Sequence, residues 1–502
     1  MPRWLQVVSG LALLTLFGLI VVLLVRWPYR QTTVLQSLQQ SFSSQIHVSK
    51  YHLVFFPSPG FVAEGLTLHR SGAEDLPPLA TIVRLQASSS YATILFAPRR
   101  FQTLQLEGLH VQIPPAGSSN ASGNDNSEAK RSTIFVAHLI ADGAQLDITR
   151  HSGEPPLHFD IHRLRLDHVG ATRAIAFSTT LIEPVMKGEV QSQGSVGPID
   201  IDDPGKTPVD ATYKLAGADL GVFGGVSGTV SSSGKFSGRL GHIDTQGIVD
   251  TPDFRVKDCH AVHLTSRYKA VVNGTKADVS LPSVVTQFDR TTVFMSGNIA
   301  GDPNLAALNF NVDRGRVQDL LSIFVKEAPP MDGIITIKAN ALLPSSQEPF
   351  LKRLRMEGDF NINGGRFTKP ETRQKVDAFS ERTRMEKPPK DDPNPPPVIG
   401  EAKGHAVVKD GVATFTTLSF TIPGATAQLS GTFNLIDQTI HLTGDLQTQT
   451  DISHTTTGIK AVLLKPLVPF FKKKNKTSVM PIQVTGTWRH VQVGARLVPK
   501  DK

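Results

Sequence analysis

Residues 425–446 read ATAQLSGTFNLIDQTIHLTGDL, and this stretch shows the pattern that decides the fold. Apolar or small residues alternate with polar ones, which is typical of strands with one dry face and one wet face. Gly431 and Gly444 fall on the apolar side of the alternation. Because successive side chains point to opposite faces of a strand, each glycine shares its face with apolar residues two positions away. The stretch predicts β structure with an apolar face notched by glycine.

A five-residue pattern recurs along the chain: an apolar residue, any residue, Gly, any residue and an apolar residue. It occurs at 186–190, 226–230, 236–240, 295–299, 356–360, 429–433, 442–446 and 484–488. We therefore predict a mainly β protein: an elongated, curled antiparallel sheet forming a β-groove, with a few short helices, preceded by one N-terminal transmembrane helix. Glycines on the apolar face either make room for a ligand or bend the sheet, and the pattern leaves both alternatives open.

Composition narrows the class of protein. The chain has 502 residues, 39% of them hydrophobic and 19% charged, which suits a folded protein, and its 41 glycines with abundant Thr, Val and Ser favour β structure. The net charge of +8 is compatible with an anionic lipid surface or with simple solubility. Nucleic acid is not an expected partner, because the basic segment at 457–476 has no interleaved aromatic residues for base stacking. The single cysteine, Cys259, excludes a disulfide within the chain.

Residues 5–25 form the one long apolar segment. They carry no charge, and 21 residues of helix at 1.5 Å per residue would span roughly 31 Å, enough to cross a hydrocarbon core. Trp4, Arg26, Trp27 and Tyr29 flank the segment and are residue types typical of membrane interfaces. We expect an uncleaved anchor, with the remaining chain on one side of the membrane.

The pattern divides the chain into seven regions. They are a short tail (1–4), whose side of the membrane the flanking charges do not decide, the anchor (5–25), an N-terminal β region (26–114), a flexible linker (115–132), central β repeats (133–370) with a helix near 316–327, a helix with a Pro-rich linker (371–398), and a C-terminal β domain (399–502). Helical spacing also predicts a short helix at 31–42 and a charged one at 371–387, while alternation predicts strands at 81–89 and 101–113.

Catalytic and metal-binding patterns are weak. His158, Asp160 and His162 share one face of a predicted strand, but Phe159 and Ile161 on the other face make them the wet side of an ordinary amphipathic strand. Cys259 and His263 are spaced to share a strand face, with no further ligands nearby, and no hydrolase, zinc-protease or nucleotide-binding motif occurs. We expect no catalytic residues, no metal, no cofactor and no enzymatic activity.

A basic and apolar segment lies at 457–476. Such a segment is typical of a surface that binds anionic membranes, and the alternative is a cap on the end of the sheet with a solvated lysine run. The lysines of this predicted membrane-surface segment are Lys465, Lys472, Lys473, Lys474 and Lys476.

Four stretches in order resemble the AsmA-like family of bacterial envelope proteins. They are 46–68, with LVFFPSPGF, 236–254, 319–337, and 412–446 followed by Thr485-Gly-Thr. The resemblance implies a single inner-membrane span, a cytoplasm-facing N-terminus and a periplasmic body. It also implies kinship with bridge-like lipid-transfer proteins, whose repeated β units form a groove for acyl chains, and it brings no catalytic residues.

We therefore expect a protein that binds or conducts phospholipid between envelope membranes, with membrane lipids as partners and the inner membrane contacted through residues 5–25. The alternative is a non-enzymatic scaffold or assembly factor that binds other envelope proteins at an exposed sheet edge. The residues predicted to face lipid are Phe360, Leu429, Phe433, Leu442 and Trp488.

Overall fold

In a computed structural model, the chain is mainly β with a few short helices. The structure describes residues 27, 29–42, 44–70, 78–96, 100–113, 135–149, 156–170, 173–200, 203–301, 305–324, 328–346, 348–384, 400–448, 472–474, 477–487 and 490–495. The predicted anchor at 5–25 and the linker at 115–132 lie outside these ranges. Among the described residues, no helix has the length and apolar character needed to span a membrane.

The chain divides into two compact units, and the division falls inside the predicted central region. Unit 1 comprises Met1–Ala218 and Ser233–Ile243, and unit 2 comprises Asp219–Ser232 and Asp244–Lys502. The strands β13 and β14 defined below therefore contribute residues to both units.

The described residues of unit 1 form two helices and eleven strands, with part of the β13–β14 hairpin. The elements are α1 (Gln31–Phe42), β1 (Ser44–Val54), β2 (Gly60–Arg70), β3 (Ala80–Ser88), α2 (Tyr91–Phe96), β4 (Arg100–Glu107), β5 (His110–Ile113), β6 (Phe135–Asp142), β7 (Ala144–Ile148), β8 (Leu157–Val169), β9 (Ile175–Ile182), β10 (Glu189–Val196), a 3₁₀ turn (Pro204–Lys206) and β11 (Pro208–Asp219).

Strand order in unit 1 follows the chain, but pairing is not entirely antiparallel. β4 and β5 lie end to end beside β3, and β6 and β7 pair with them in parallel. Parallel pairing needs a connection that returns the chain to the same end of the sheet, and the residues between Ile113 and Phe135 provide it. The predicted single strand at 101–113 is interrupted at Gly108, whose φ is +61°.

The core of unit 1 lies where α1 and α2 cover the first strands. Tyr29 is 1% exposed, and its ring stacks on Phe101 at 5.2 Å between centroids. Tyr51 donates a hydrogen bond to the carbonyl of Tyr29 at 2.6 Å, and burial raises the pKa of both phenols. Ile94 of α2 is also buried in this cluster. Aromatic packing thus joins the segment that follows residue 26 to the sheet.

The described residues of unit 2 form the other strands and three helices. The elements are a 3₁₀ turn (Leu220–Phe223), β12 (Val226–Ser227), β13 (Thr229–Arg239), β14 (His242–Val256), β15 (Val262–Asn273), β16 (Asp278–Phe288), β17 (Thr291–Ala300), β18 (Leu305–Arg316), α3 (Val317–Ser322), β19 (Met331–Pro344), α4 (Phe350–Arg353), β20 (Arg355–Phe367), α5 (Pro370–Arg384), β21 (Gly400–Lys409), β22 (Val412–Ile422), β23 (Ala425–Asn434), β24 (Thr439–Thr448), β25 (Lys472–Lys474), β26 (Thr477–Thr487) and β27 (His490–Ala495).

From β15 to β24 each strand pairs antiparallel with the next, and β26 follows β24. β25 and β27 both pair with β26, at different parts of its length. An extra residue in β22, between Phe415 and Leu418, shifts the register of this strand with both of its neighbours, β21 and β23. This bulge returns the apolar residues of β22 to one face although their spacing in the sequence changes from two to three.

Helices close the strand ends of unit 2. Asp319 of α3 is 7% exposed and accepts hydrogen bonds from the Arg290 amide at 3.0 Å and the Thr291 hydroxyl at 2.8 Å. Ser380 of α5 is buried and donates to the Pro423 carbonyl at 2.7 Å. These side chains fasten both helices to turns at the same end of strands β17–β23.

Candidate functional site: the apolar face of unit 2

Seven strands of unit 2, β19–β24 and β26, align their apolar residues into four rows on one face of the sheet. Strand pairing places the members of each row side by side. Row 1 is Ile335, Ile362, Ala402, Phe420, Ala427, Leu446 and Met480; row 2 is Ile337, Phe360, Gly404, Leu418, Leu429, Gly444 and Ile482; row 3 is Ala339, Gly358, Ala406, Phe415, Gly431, Leu442 and Val484; row 4 is Ala341, Met356, Val408, Ala413, Phe433, Ile440 and Gly486.

We call these four rows the apolar face. Six strand spacings of about 4.8 Å and six residue steps of about 3.3 Å give it an extent of roughly 29 by 20 Å before twist. It holds no charged residue, whereas the opposite face carries groups such as Lys338, Asp359 and His405. Row 1 lies at the strand ends nearest α3 and α5.

Several large side chains of the face remain partly exposed, whereas Ile335, Val408, Leu442, Met480 and Ile482 are buried. Phe360, Leu418, Leu429 and Phe433 are each of intermediate exposure, while small residues such as Ala402 are buried. At β27, which continues the rows, Val491 is 47% and Val493 67% exposed. An apolar surface of this size left partly in contact with solvent is unusual and typical of a binding surface.

The structure brings four of the five predicted lipid-facing residues onto this face. Phe360 and Leu429 lie in row 2, Leu442 in row 3 and Phe433 in row 4; Leu442 is the most covered, at 5% exposure. Trp488 lies outside the described residues. Phe415, Leu418 and Phe420 share the face but escaped prediction, because the bulge in β22 breaks their alternation.

Glycines of the face are not empty notches. An added Cβ on Gly358, Gly431 or Gly444 would come closer than 3.0 Å to the carbonyl oxygen of the neighbouring strand, Lys338, His441 or Gln428 respectively. At Gly404 the Cβ would lie 2.9 Å from the ring of Phe360. Each glycine lets a neighbour approach closely, so the glycines accommodate sheet curvature and packing, and these positions provide no room for a ligand.

Only four of the eight glycine phrases lie within a single strand, those in β17, β20, β23 and β24. The phrases at 186–190, 226–230 and 236–240 include turns or strand breaks, and the phrase at 484–488 ends beyond the described part of β26. For the first three of these phrases the expectation of a shared strand face is wrong. For the fourth, the expectation extends to a residue outside the described ranges. Turns use the same residue types as strand bends, because glycine serves both.

The outer face of unit 1 carries a polar network around Asp147. Its carboxylate contacts His110 Nε2 at 2.7 Å and His158 Nδ1 at 2.6 Å, while His158 Nε2 lies 3.0 Å from Asp160. Burial opposes the charge of Asp147, but the two histidine hydrogen bonds outweigh it and lower its pKa. The hydrogen bond with Asp147 raises the pKa of His158, and Asp160 adds to it.

No metal site emerges from the predicted candidates. Among the residues that the structure describes, no group of three or more His, Cys, Asp and Glu side chains is arranged to hold a metal ion. Cys259 lies in the turn before β15 rather than in a strand, so it does not share a strand face with His263 as expected. His263 instead pairs with Asp250 at 2.6 Å, which lowers the pKa of that carboxyl.

The predicted basic segment is described only in part. Lys472, Lys473 and Lys474 form β25, paired with β26 at Val479, Ser478 and Thr477. Lys465 and Lys476 lie outside the described residues. The backbone at 472–474 is thus a short strand, neither the helix nor the loop expected of a cap.

Comparison with known proteins gives no relative for this chain. No protein family matches the sequence, and neither a curated protein nor a solved structure is significantly similar to it. The AsmA-like resemblance therefore stays a prediction.

Proposed function

We propose that this protein is a non-enzymatic lipid-handling protein, anchored in the bacterial inner membrane by residues 5–25 with its body in the periplasm, that binds or conducts phospholipid along the apolar face. The observation that carries the proposal is the set of four uncharged apolar rows, on which Phe360, Leu418, Leu429 and Phe433 remain partly exposed. The resemblance to AsmA-like proteins supports the same function.

Acyl chains are the ligand that the face suits best. It offers no charged group and no array of hydrogen-bond donors, so recognition rests on burial of CH₂ groups at about 0.8 kcal/mol each. A lipid would lay its tail on rows 2 and 3 and leave its headgroup in water. Because the glycine positions are filled by neighbouring backbone or side chains, the tail would rest on Phe360, Leu418 and Leu429 rather than enter pockets.

Photocrosslinking from the two faces of one strand tests the proposal. Leu429 lies on the apolar face, and Gln428, next in sequence, is exposed on the opposite face. With benzoylphenylalanine at either position of the full chain in phospholipid membranes, we expect lipid adducts, detected by mass spectrometry, at position 429 and not at 428. Equal labelling at both positions, or none at 429, would sink the proposal.

A second function, scaffolding of envelope proteins, is favoured by β27. Val491 and Val493 are exposed on this strand, which has β26 as its neighbour within the described residues. A strand with one unpaired side can receive a partner's strand. A crosslinker at Val493 that captured one defined protein in cells, with no lipid captured at position 429, would favour the scaffold.

A further inference from the structure

The turn between β1 and β2 exposes a cluster of large apolar side chains at one tip of unit 1. Phe56 is 84% exposed, Phe55 48% and Leu53 38%. Tyr91 of α2, beside them, is 41% exposed. We call these four residues the aromatic tip. Large apolar side chains grouped at a turn are unusual on a surface that faces only water.

The tip is held in place. The Tyr91 hydroxyl donates a hydrogen bond to the Phe55 carbonyl. The ring of Trp27 packs against Phe55 with 4.7 Å between centroids, and Trp27 is itself 7% exposed. Pro59, at the end of the turn, is fully buried. Phe56 is therefore presented outward by a supported turn.

The sequence places a membrane beside this tip. Trp27 comes two residues after the uncharged apolar stretch at 5–25, a separation of at most about 7 Å along the chain. Because Trp27 contacts Phe55, the aromatic tip lies close to the point where that stretch ends. Aromatic residues such as Trp and Tyr favour the layer between hydrocarbon and water.

Charge agrees with this placement. The first acidic residue of the chain is Glu64, whereas Arg26, Arg30 and Lys50 precede it on the same side of the predicted anchor, and Lys50 lies 3.9 Å from the Glu64 carboxylate. A segment with cations and no carboxylate is attracted to anionic phospholipid headgroups, at about 1 kcal/mol for each Lys or Arg near the surface.

We propose that the aromatic tip inserts into the interfacial layer of the same bilayer that residues 5–25 cross, with Phe56 as the side chain that enters the acyl boundary. This rests on the membrane anchor in the proposed function, and not on lipid binding by the apolar face. Insertion gives unit 1 a second attachment to the membrane, which fixes its orientation to the bilayer instead of leaving it on a single tether.

Spin labelling of the full chain tests the insertion. The Phe56→Cys variant, reconstituted in vesicles of phosphatidylethanolamine and phosphatidylglycerol, receives a nitroxide label; Cys259 is buried, and the unsubstituted chain gives the labelling blank. Since Phe56 is almost fully exposed, the substitution should not disturb folding. The matched control is Val83→Cys on β3, at a residue 68% exposed. Its neighbour Ile82 pairs with Leu66, which lies six residues along β2 from Gly60. The control position is therefore roughly 20 Å from Gly60, the residue at which the turn that carries Phe56 ends.

We expect the nitroxide at position 56 to collide more often with oxygen, which is apolar, than with a water-soluble nickel chelate. The ratio of the oxygen to the chelate collision rate should be several-fold higher at position 56 than at position 83. Equal ratios at the two positions, in protein that resists carbonate extraction, would overturn insertion while leaving the anchor intact. Release by carbonate would overturn the anchor and the insertion together. Either result is independent of lipid adducts at position 429, so failure of the tip and failure of the apolar face remain distinguishable.

Discussion

At the scale of single residues, glycine decides how closely strands approach. Gly431 has a φ of +143°, in a region that other residues rarely adopt, and the carbonyl of His441 occupies the place of a Cβ. Both constraints come from the neighbouring strand, so they are absent from the local sequence. Gly494 of β27 falls instead on the polar side of its strand, two residues from Gln492, and has nothing within 4 Å of its missing Cβ.

Gly431→Ala should therefore destabilise unit 2, by about 2–4 kcal/mol through backbone strain and overpacking. Gly494→Ala should change the free energy of unfolding by less than about 0.5 kcal/mol. Urea denaturation followed by circular dichroism measures both. Equal effects would show that close approach at Gly431 is unimportant.

At the scale of elements, histidine–carboxylate pairs join neighbouring strands on polar faces. Asp147 of β7 binds His158 of β8, and His405 of β21 contacts Asp359 of β20 at 2.9 Å, which raises the pKa of His405. A histidine with a raised pKa stabilises the fold below its unfolded pKa, and this stability is lost as pH rises through the folded value. Asp147, with a lowered pKa, contributes above its unfolded pKa and loses that contribution as pH falls through its folded value. The β7–β8 pair is thus strongest at mildly acidic pH.

Hydrogen exchange should report this dependence. Protection of β7 and β8, corrected for intrinsic exchange, should be greater at pH 5.5 than at pH 8, by about 0.2–1 kcal/mol because the pair is partly exposed. His158→Gln should remove most of the difference. His47→Gln, at an exposed residue on β1 with no carboxylate contact among the described residues, should preserve it. If the difference in protection between pH 5.5 and pH 8 survives in the His158→Gln variant, groups other than His158 cause it.

At the scale of the whole molecule, the predicted anchor at 5–25 would determine where both units work. Within residues 5–25, Leu13 and Leu14 lie near the middle. If the segment spans a bilayer, a lysine at the centre costs about 2.5–3.5 kcal/mol. Replacing both leucines by lysine should therefore release the chain from membranes.

Alkaline carbonate extraction measures that release. The natural chain should stay in the membrane pellet and the Leu13→Lys, Leu14→Lys chain should move to the supernatant. Gln36→Lys with Gln39→Lys, at exposed positions of α1, adds the same charge and should leave the chain in the pellet. Extraction of the natural chain would contradict the anchor.

Local patterns allowed much of the secondary structure to be predicted. The helix at 31–42 was predicted with the bounds it has, and the charged helix at 371–387 is observed as Pro370–Arg384. The helix Tyr91–Phe96 was missed, because six residues rich in aromatic and β-branched types resemble a strand. The predicted helix at 316–327 is Val317–Ser322 in the described residues, held by the buried Asp319, whose partners are distant in sequence.

The sequence by itself determined that the chain is mainly β, that its strands have one apolar face, and that Phe360, Leu429, Phe433 and Leu442 belong to that face, because side-chain alternation is a local property. The tertiary structure alone decided how those residues align into rows across seven strands, since register depends on bulges and on the pairing of distant segments. It also decided the role of the glycines: their missing side chains let neighbouring strands and rings approach, which only the positions of those neighbours could reveal.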